Sequence, residues 1–189
     1  MPITAITGSI CFGKRMGICK PLESVKLISG MLTANKGLFD TAYSILAKRL
    51  GEIDFISETI SFNSTTYYNE ELGEPLYRRF VSFRKLILPD SLSGIKIFSN
   101  QIETALSFNG KRRINLDPGI LTKNSCFLAS TKENPFRLYL EKGIYGELTI
   151  TFIKGGFATY PWTYPDFRKD ITKDILLRIR RIYLDQRKK

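Results

Sequence analysis

Histidine is absent from this 189-residue sequence, and that one gap removes much chemistry. No imidazole is available as a general base, so every His-containing zinc site and every Ser-His or Cys-His relay is excluded. Cysteine is scarce: Cys11, Cys19 and Cys126 form an odd, unclustered set. That points to free thiols in a reducing compartment and not to a disulfide frame, and no zinc or haem site is expected. No apolar run approaches the length of a membrane span, so no membrane partner is expected. The opening MPITAITGSICFGKRMG lacks a basic lead and is broken by glycine, unlike a secretory signal; the expected location is cytoplasmic. Residues 1–19 read as a flexible extension, with Met16 as an alternative start, and 20–189 as a single domain.

Acidic residues are missing from Met1 to Lys20, which carry +3, while Arg168 to Lys189 carry +6. Of the formal net charge of +11, only +2 is left for the body of the chain. Basicity is therefore concentrated at the ends, and composition alone establishes no globally positive surface. A hydrophobic content of 43% over this length supports one well-buried core. Gly8, Gly13 and Lys14 begin a G-x-x-x-x-G-K phosphate loop, but Arg15 stands where a magnesium-binding hydroxyl belongs and Pro21 soon follows. A nucleotide loop is not expected there.

Local pattern predicts a strand over Val25–Met31 and a helix whose stripe is Leu38, Ala42, Leu46 and Leu50, with Asn35 near its start and Gly51 as its stop. Ile53–Phe62 reads as a strand, and Tyr67-Tyr68 as either a ligand platform or a loop cover. Leu76–Ile87 reads as a strand; its arginines suit an edge that resists aggregation better than a nucleic-acid face. A second helix from Pro89 to about Leu106 buries Ile95, Phe98, Ile102 and Leu106. Beyond it, Arg113, Asn115 and Asp117 share one face, and Asp117-Pro118-Gly119 has turn chemistry. Ser125–Thr131 reads as a buried strand with Cys126 a small core residue.

The organising stretch is FRLYLEKGIYGELTITF, a hairpin ending at Phe152. Strict alternation places Leu138, Leu140, Ile144, Leu148, Ile150 and Phe152 on one face, and Arg137, Tyr139, Tyr145, Glu147 and Thr149 on the other. A three-residue loop pairs Leu140 with Ile144, Tyr139 with Tyr145 and Arg137 with Glu147, leaving Gly143 in the left-handed position. Gly155-Gly156 marks a turn. YPWTYPD (160–166) suggests a rigid extended crossing, or a pocket lining at Trp162 and Tyr164. A final helix from about Phe167 carries Ile171, Ile175, Ile179 and Ile182, with Arg178, Arg180 and Arg181 outside, and the end at Lys189 frays. The expected fold is one α+β domain: a mixed, largely antiparallel sheet with three main helices and the option of curling towards a partial barrel.

These residues in order also resemble a known family. Val25-Lys26-Leu27, Gly30-Met31, Ile53-Asp54-Phe55, Tyr67-Tyr68 and Arg78-Arg79-Phe80-Val81-Ser82-Phe83 carry the likeness. It continues through Asn115-Leu116-Asp117-Pro118-Gly119, Thr131-Lys132, Arg137-Leu138-Tyr139-Leu140, Gly143-Ile144-Tyr145, Glu147 and Trp162-Thr163-Tyr164-Pro165-Asp166. From about Lys20 to the last helix the chain resembles the uncharacterised bacterial proteins grouped as domain of unknown function 4416. Where such relatives often place a histidine before the hairpin arginine, Phe136 stands here. The resemblance implies no activity and assigns no catalytic residue.

Two functions follow from the residues. The first is binding or processing of a phosphate-bearing ligand, a nucleotide or an RNA end. Arg78, Arg113 and Arg137 would clamp oxygens, with Asn115, Tyr139 and Tyr145 also contacting the ligand. Asp117 and Glu147 would hold Mg²⁺ or act as acid and base. The alternative is a non-catalytic module binding RNA or a protein through the basic C-terminal helix. The bland reading of Arg137 and Glu147 is an exposed ion pair worth under about 1 kcal/mol.

Overall fold

Strand β1, Val25–Thr33, is buried at all nine positions, so both its faces must be covered. A computed structural model of the protein describes residues 20–154 and 156–188, and it shows how. Helices α1 (Gly37–Leu50) and α3 (Leu92–Ala105) cover one face of a sheet, meeting Leu27 and Met31 of β1. Helix α4 (Asp170–Gln186) covers the other, meeting Ile28. A strand between two helical layers reads as a continuous apolar run because neither side faces water.

The remaining strands are β2 (Ile53–Ile56), β3 (Ile60–Phe62), β4 (Leu76–Ile87), β5 (Asn115–Leu121), β6 (Ser125–Ser130), β7 (Arg137–Glu141), β8 (Ile144–Ile153) and β9 (Gly156–Thr159); a one-turn helix α2 spans Asn69–Leu72. All nine strands join one sheet in the order β2-β4-β1-β5-β6-β8-β7, with β3 on β4 and β9 on β8. Every pairing among them is antiparallel, so the sheet is not mixed, and it is not closed into a barrel. The α+β class and the three main helices are as expected. The expected extension, the incomplete phosphate loop, Cys11, Cys19, Gly155 and Lys189 lie outside the described residues.

Several local expectations change once the neighbours are known. Strand β4 is no edge: β1 pairs along one side of it, and β2 and β3 along the other. The stretch Ile53–Phe62 is two short strands, not one. Asp117-Pro118-Gly119 lies inside β5, opposite Gly30, Ser29 and Ile28, and is not a turn. Proline is tolerated there because the β6 ladder begins only at Gly119. Gly119 serves close approach: a Cβ would meet the Phe127 carbonyl oxygen at 2.4 Å and the Leu128 side chain at 2.7 Å. Gly119→Ala is expected to cost up to about 3 kcal/mol through overpacking, because the obstacle is backbone. A urea midpoint within experimental error of the parent would overturn that reading.

The hairpin keeps Arg137 opposite Glu147 and Tyr139 opposite Tyr145, but Glu141 and not Leu140 pairs with Ile144. A bulge between Tyr139 and Glu141 shortens the loop to Lys142-Gly143, both left-handed at φ 53° and 75°. A second irregularity decides the faces. Cys126 faces Ile150 while the next β6 residue, Phe127, faces Leu148, leaving Thr149 as the extra residue of β8. Glu147 thereby lands on the same side of the sheet as Ile150, and the simple apolar/charged division fails. Leu138 is 73% exposed, whereas Glu147 is 3% exposed.

The YPWTYPD segment turns twice instead of crossing extended. Thr163 N–H donates to the Tyr160 carbonyl, and Pro165–Arg168 forms a 3₁₀ turn, each proline supplying the fixed φ such turns use. On α4 the buried stripe is Thr172, Ile175, Leu176, Ile179 and Tyr183, and Ile171 is exposed. A strict four-residue spacing drifts by roughly 40° per step around a helix with 3.6 residues per turn. No helix among the described residues is long and apolar enough to cross a membrane.

Candidate functional site

Strands β5 and β6 pair only from Gly119 to Leu121 and then diverge. Between them opens a cleft of about 460 Å³, flanked by Asn115 and Asp117 on one side and Leu128 to Lys132 on the other. Divergence strands the backbone of Leu116, which would otherwise bond to a neighbouring strand. Side chains of α3 take that place: the Leu116 N–H donates to Glu103 Oε1 at 2.7 Å, and Lys96 Nζ donates to the Leu116 carbonyl at 2.8 Å. Burial raises the Glu103 carboxyl, opposed by Lys96, Arg112 and the Leu116 N–H.

Arg78 of β4 is a buried charge in the cleft wall, 5% exposed. Its guanidinium has room because β1 carries Gly30 diagonally across, opposite Phe80, where a Cβ would sit 2.9 Å from Nη1. Nη1 donates to Asp117 Oδ2 at 3.1 Å, and Nη2 lies 2.8 Å from Asp166 Oδ2, in ionic contact off the hydrogen-bond direction. The rings of Phe62 and Phe80 flank the group. Burial by itself would raise the Asp117 carboxyl; Arg78, Lys96 and the Asn115 amide outweigh it and hold it below the usual aspartate value. Asp117 is thus a fixed negative charge at neutral pH.

Arg137 and Glu147 form the second wall. Arg137 Nε donates to Glu147 Oε2 at 2.8 Å, Nη1 to the Lys132 carbonyl and Nη2 to the Tyr164 hydroxyl. This is a buried pair, with side chains 9% and 3% exposed, and not the exposed surface bridge of the bland reading. Burial pushes the Tyr164 hydroxyl up to about 12, helped by Glu147 and opposed by Arg137. Burial likewise raises Tyr68, whose neighbours include Asp117 and Arg78. At the mouth, Lys132 Nζ donates to the Tyr67 hydroxyl at 2.6 Å, linking the β6–β7 loop to the segment before α2.

Of the residues expected to form a site, the fold brings Arg78, Asn115, Asp117, Arg137 and Glu147 to this cleft. Arg113 is exposed and outside it, its carbonyl accepting from Thr33. Tyr139 and Tyr145 pack edge to face with centroids 5.4 Å apart, beyond the cleft towards the hairpin tip. Tyr164 lines the cleft and Trp162 does not; Trp162 is stacked between Phe136 and Tyr160. Sequence reasoning missed Ser64, Lys96, Arg112, Lys132 and Asp166. Two of them carried a signal: Lys132, next to the hairpin, and Asp166, at the end of YPWTYPD, both belong to the motifs of the family likeness.

The arginines are not free clamps. All three nitrogens of Arg137 are engaged, and Arg112 is shared among Glu71, Glu103 and Asn115. Spare cationic donors are instead the ammonium groups of Lys96 and Lys132 and the Nε–H of Arg78. Among the described residues no cluster of three or more His, Cys, Asp or Glu is arranged to hold a metal, and one oxygen each of Asp117 and Glu147 is committed to an arginine. These two carboxylates act here as arginine anchors. Four buried side-chain atoms among the described residues lack a hydrogen-bond partner: Ser64 Oγ, Arg78 Nε, Glu147 Oε1 and Asp166 Oδ2. All four belong to residues lining this one cleft. Native interiors leave few such atoms, and their convergence makes this cleft the candidate site.

No curated protein and no solved structure matches the chain significantly. The family model described as Domain of unknown function (DUF4416) matches residues 23–183, and the chain belongs to that family.

Proposed function

We propose that the protein binds a phosphate-bearing small molecule of nucleotide size in the cleft between β5 and β6. The observation carrying this reading is the gathering, around one cavity, of all four buried side-chain nitrogen and oxygen atoms of the described residues that lack a hydrogen-bond partner. Its volume of about 460 Å³ falls within the range of small-molecule sites. Five lining cations against three lining carboxylates leave a surplus of two positive charges, which favours an anion. Lys96 and Lys132 hold the phosphate, and Tyr67 and Tyr68 offer rings at the mouth on which a base stacks. The free, buried thiol of Cys126 suits a reducing, cytoplasmic setting for such a ligand.

Binding to RNA or a protein through α4 draws less support. Arg178 pairs with Glu58, Arg180 donates to the Lys123 carbonyl, and Arg187 just past the helix pairs with Glu23, so these three cations have partners within the chain.

Thermal unfolding with ribonucleoside monophosphates and sugar phosphates tests the proposal. Ligand at a hundredfold excess over Kd adds about 2.7 kcal/mol, a Tm increase of roughly 5–10 °C for a chain of this size. Lys132→Ala should weaken binding about 10- to 100-fold by removing a charge-assisted contact, while leaving the Tm of the free protein unchanged because the side chain is exposed. Silence across the whole panel, at millimolar ligand, removes the reading.

A further inference from the structure

We propose that the cleft selects ligands bearing a ribose-type vicinal diol beside their phosphate, with Glu147 and Asp166 accepting from the two hydroxyls; this rests on the phosphate-ligand reading of the same cleft. With Ser64 donating, the four atoms without a hydrogen-bond partner make two donors, Ser64 Oγ–H and Arg78 Nε–H, and two acceptors, Glu147 Oε1 and Asp166 Oδ2, the last also in ionic contact with Arg78 Nη2. Phosphate oxygens at neutral pH only accept, so phosphate can answer the two donors but would repel the two carboxylates. An ammonium group would answer the carboxylates but add positive charge to a cleft already holding a surplus of it. A hydroxyl donates and accepts at once. Two adjacent hydroxyls therefore match two donors and two acceptors with no group left over.

The acceptors are held in place and cannot turn to satisfy themselves. Glu147 Oε2 is fixed by Arg137, which is itself fixed by the Lys132 carbonyl and the Tyr164 hydroxyl. That leaves Oε1 directed away from its partner on a side chain 3% exposed. Asp166 is fixed at Oδ2 itself, which lies 2.8 Å from Arg78 Nη2 but off the hydrogen-bond direction, so that this oxygen can still accept, on a carboxylate 9% exposed. Carboxylates accept from ribose hydroxyls in this manner in dinucleotide-binding folds. A site built around hydroxyls penalises their removal heavily, because its own buried groups are then stranded.

Calorimetric titration of the full chain with AMP, 2′-deoxy-AMP, adenosine, ribose 5-phosphate and 2-deoxyribose 5-phosphate separates the two readings. The expected result is about tenfold or greater loss of affinity on removing the hydroxyl, in both the nucleotide and the sugar phosphate pair. In Glu147→Gln, which replaces an acceptor by a donor of the same shape, that preference should fall to roughly threefold or less, with the deoxy ligands still bound. The wild-type comparison stands without the variant if Glu147→Gln folds poorly. Equal affinity for ribo and deoxy ligands in the wild type overturns the diol assignment and leaves the phosphate reading intact. Adenosine binding as tightly as AMP, with the ribo preference kept, overturns the phosphate reading alone. Absence of binding by all five compounds overturns both.

Discussion

Arg78→Met is expected to destabilise the protein by about 3–5 kcal/mol, the loss typical of removing one partner from a buried ion pair. Methionine fills most of the space between Phe62 and Phe80, so little of this is cavity. The loss is electrostatic: Asp117 and Asp166 are left in the cleft wall without the guanidinium that contacts both at 3.1 and 2.8 Å. Urea unfolding at several pH values separates this from a packing effect, because the sign of the pH dependence reverses. In the wild type the Asp117 pKa is depressed in the folded state. Its contribution is therefore present above the unfolded value, near 3.9, and is lost as pH falls through the folded value. Without Arg78, burial dominates and the folded pKa rises above the unfolded one. The variant is then penalised progressively as pH climbs from about 4 towards 7. The gap between the two proteins should be smallest in acid and full at neutrality. Arg78→Met combined with Asp117→Asn should recover part of the loss, the two changes being non-additive. A gap that does not vary with pH would show that the cluster is solvated and that this account of the cleft wall is wrong.

Lys26→Met should produce a loss of similar size, about 3–5 kcal/mol, at a place far from the cleft. Lys26 is fully buried in β1, where burial lowers its pKa and Asp54 opposes that effect. Its ammonium pairs with Asp54 and donates to Gln186 Oε1 at 2.9 Å; Ser82 Oγ donates to Asp54 at 2.6 Å, and Gln186 donates to the Arg84 carbonyl. The cluster ties the end of α4 to β1, β2 and β4. Methionine keeps the length of the side chain and abandons the Asp54 charge inside the protein. Adding Asp54→Asn should restore much of the stability. Amide exchange should also quicken in the last turn of α4, where the Gln186 contact is lost. A cost under about 1 kcal/mol for Lys26→Met alone would mean the pair is hydrated and contributes as an exposed bridge does.

Both clusters were invisible as clusters from the sequence. Lys26 sat in a run that read correctly as a strand, but nothing local told that its neighbours were Asp54 and Gln186. Arg78 was singled out, yet for the wrong setting. Four basic residues in one strand suited an edge, and only the pairing of β4 on both sides makes Arg78 an interior charge. Asp117-Pro118-Gly119 misled in the same way. Its residues have the strongest turn chemistry in the chain, but Gly119 answers to the Phe127 carbonyl and Pro118 to the end of a ladder.

What the sequence by itself determined is whatever depends on neighbours a few residues apart. It determined the α+β class, the stripes of α1 and α3, the hairpin with Arg137 opposite Glu147, the left-handed Gly143, and the chemistry ruled out by the missing histidine. Period and turn preference are local properties, and the chain states them directly. Tertiary structure alone decided that Glu147 turns inward, through one extra residue in β8, and that β5 and β6 part to open a cleft. It also decided that the arginines anchor carboxylates while Lys96 and Lys132 keep spare donors. Those outcomes depend on which strands lie side by side and where a ladder stops, and such long-range registers are set by the burial of the whole sheet between its helices.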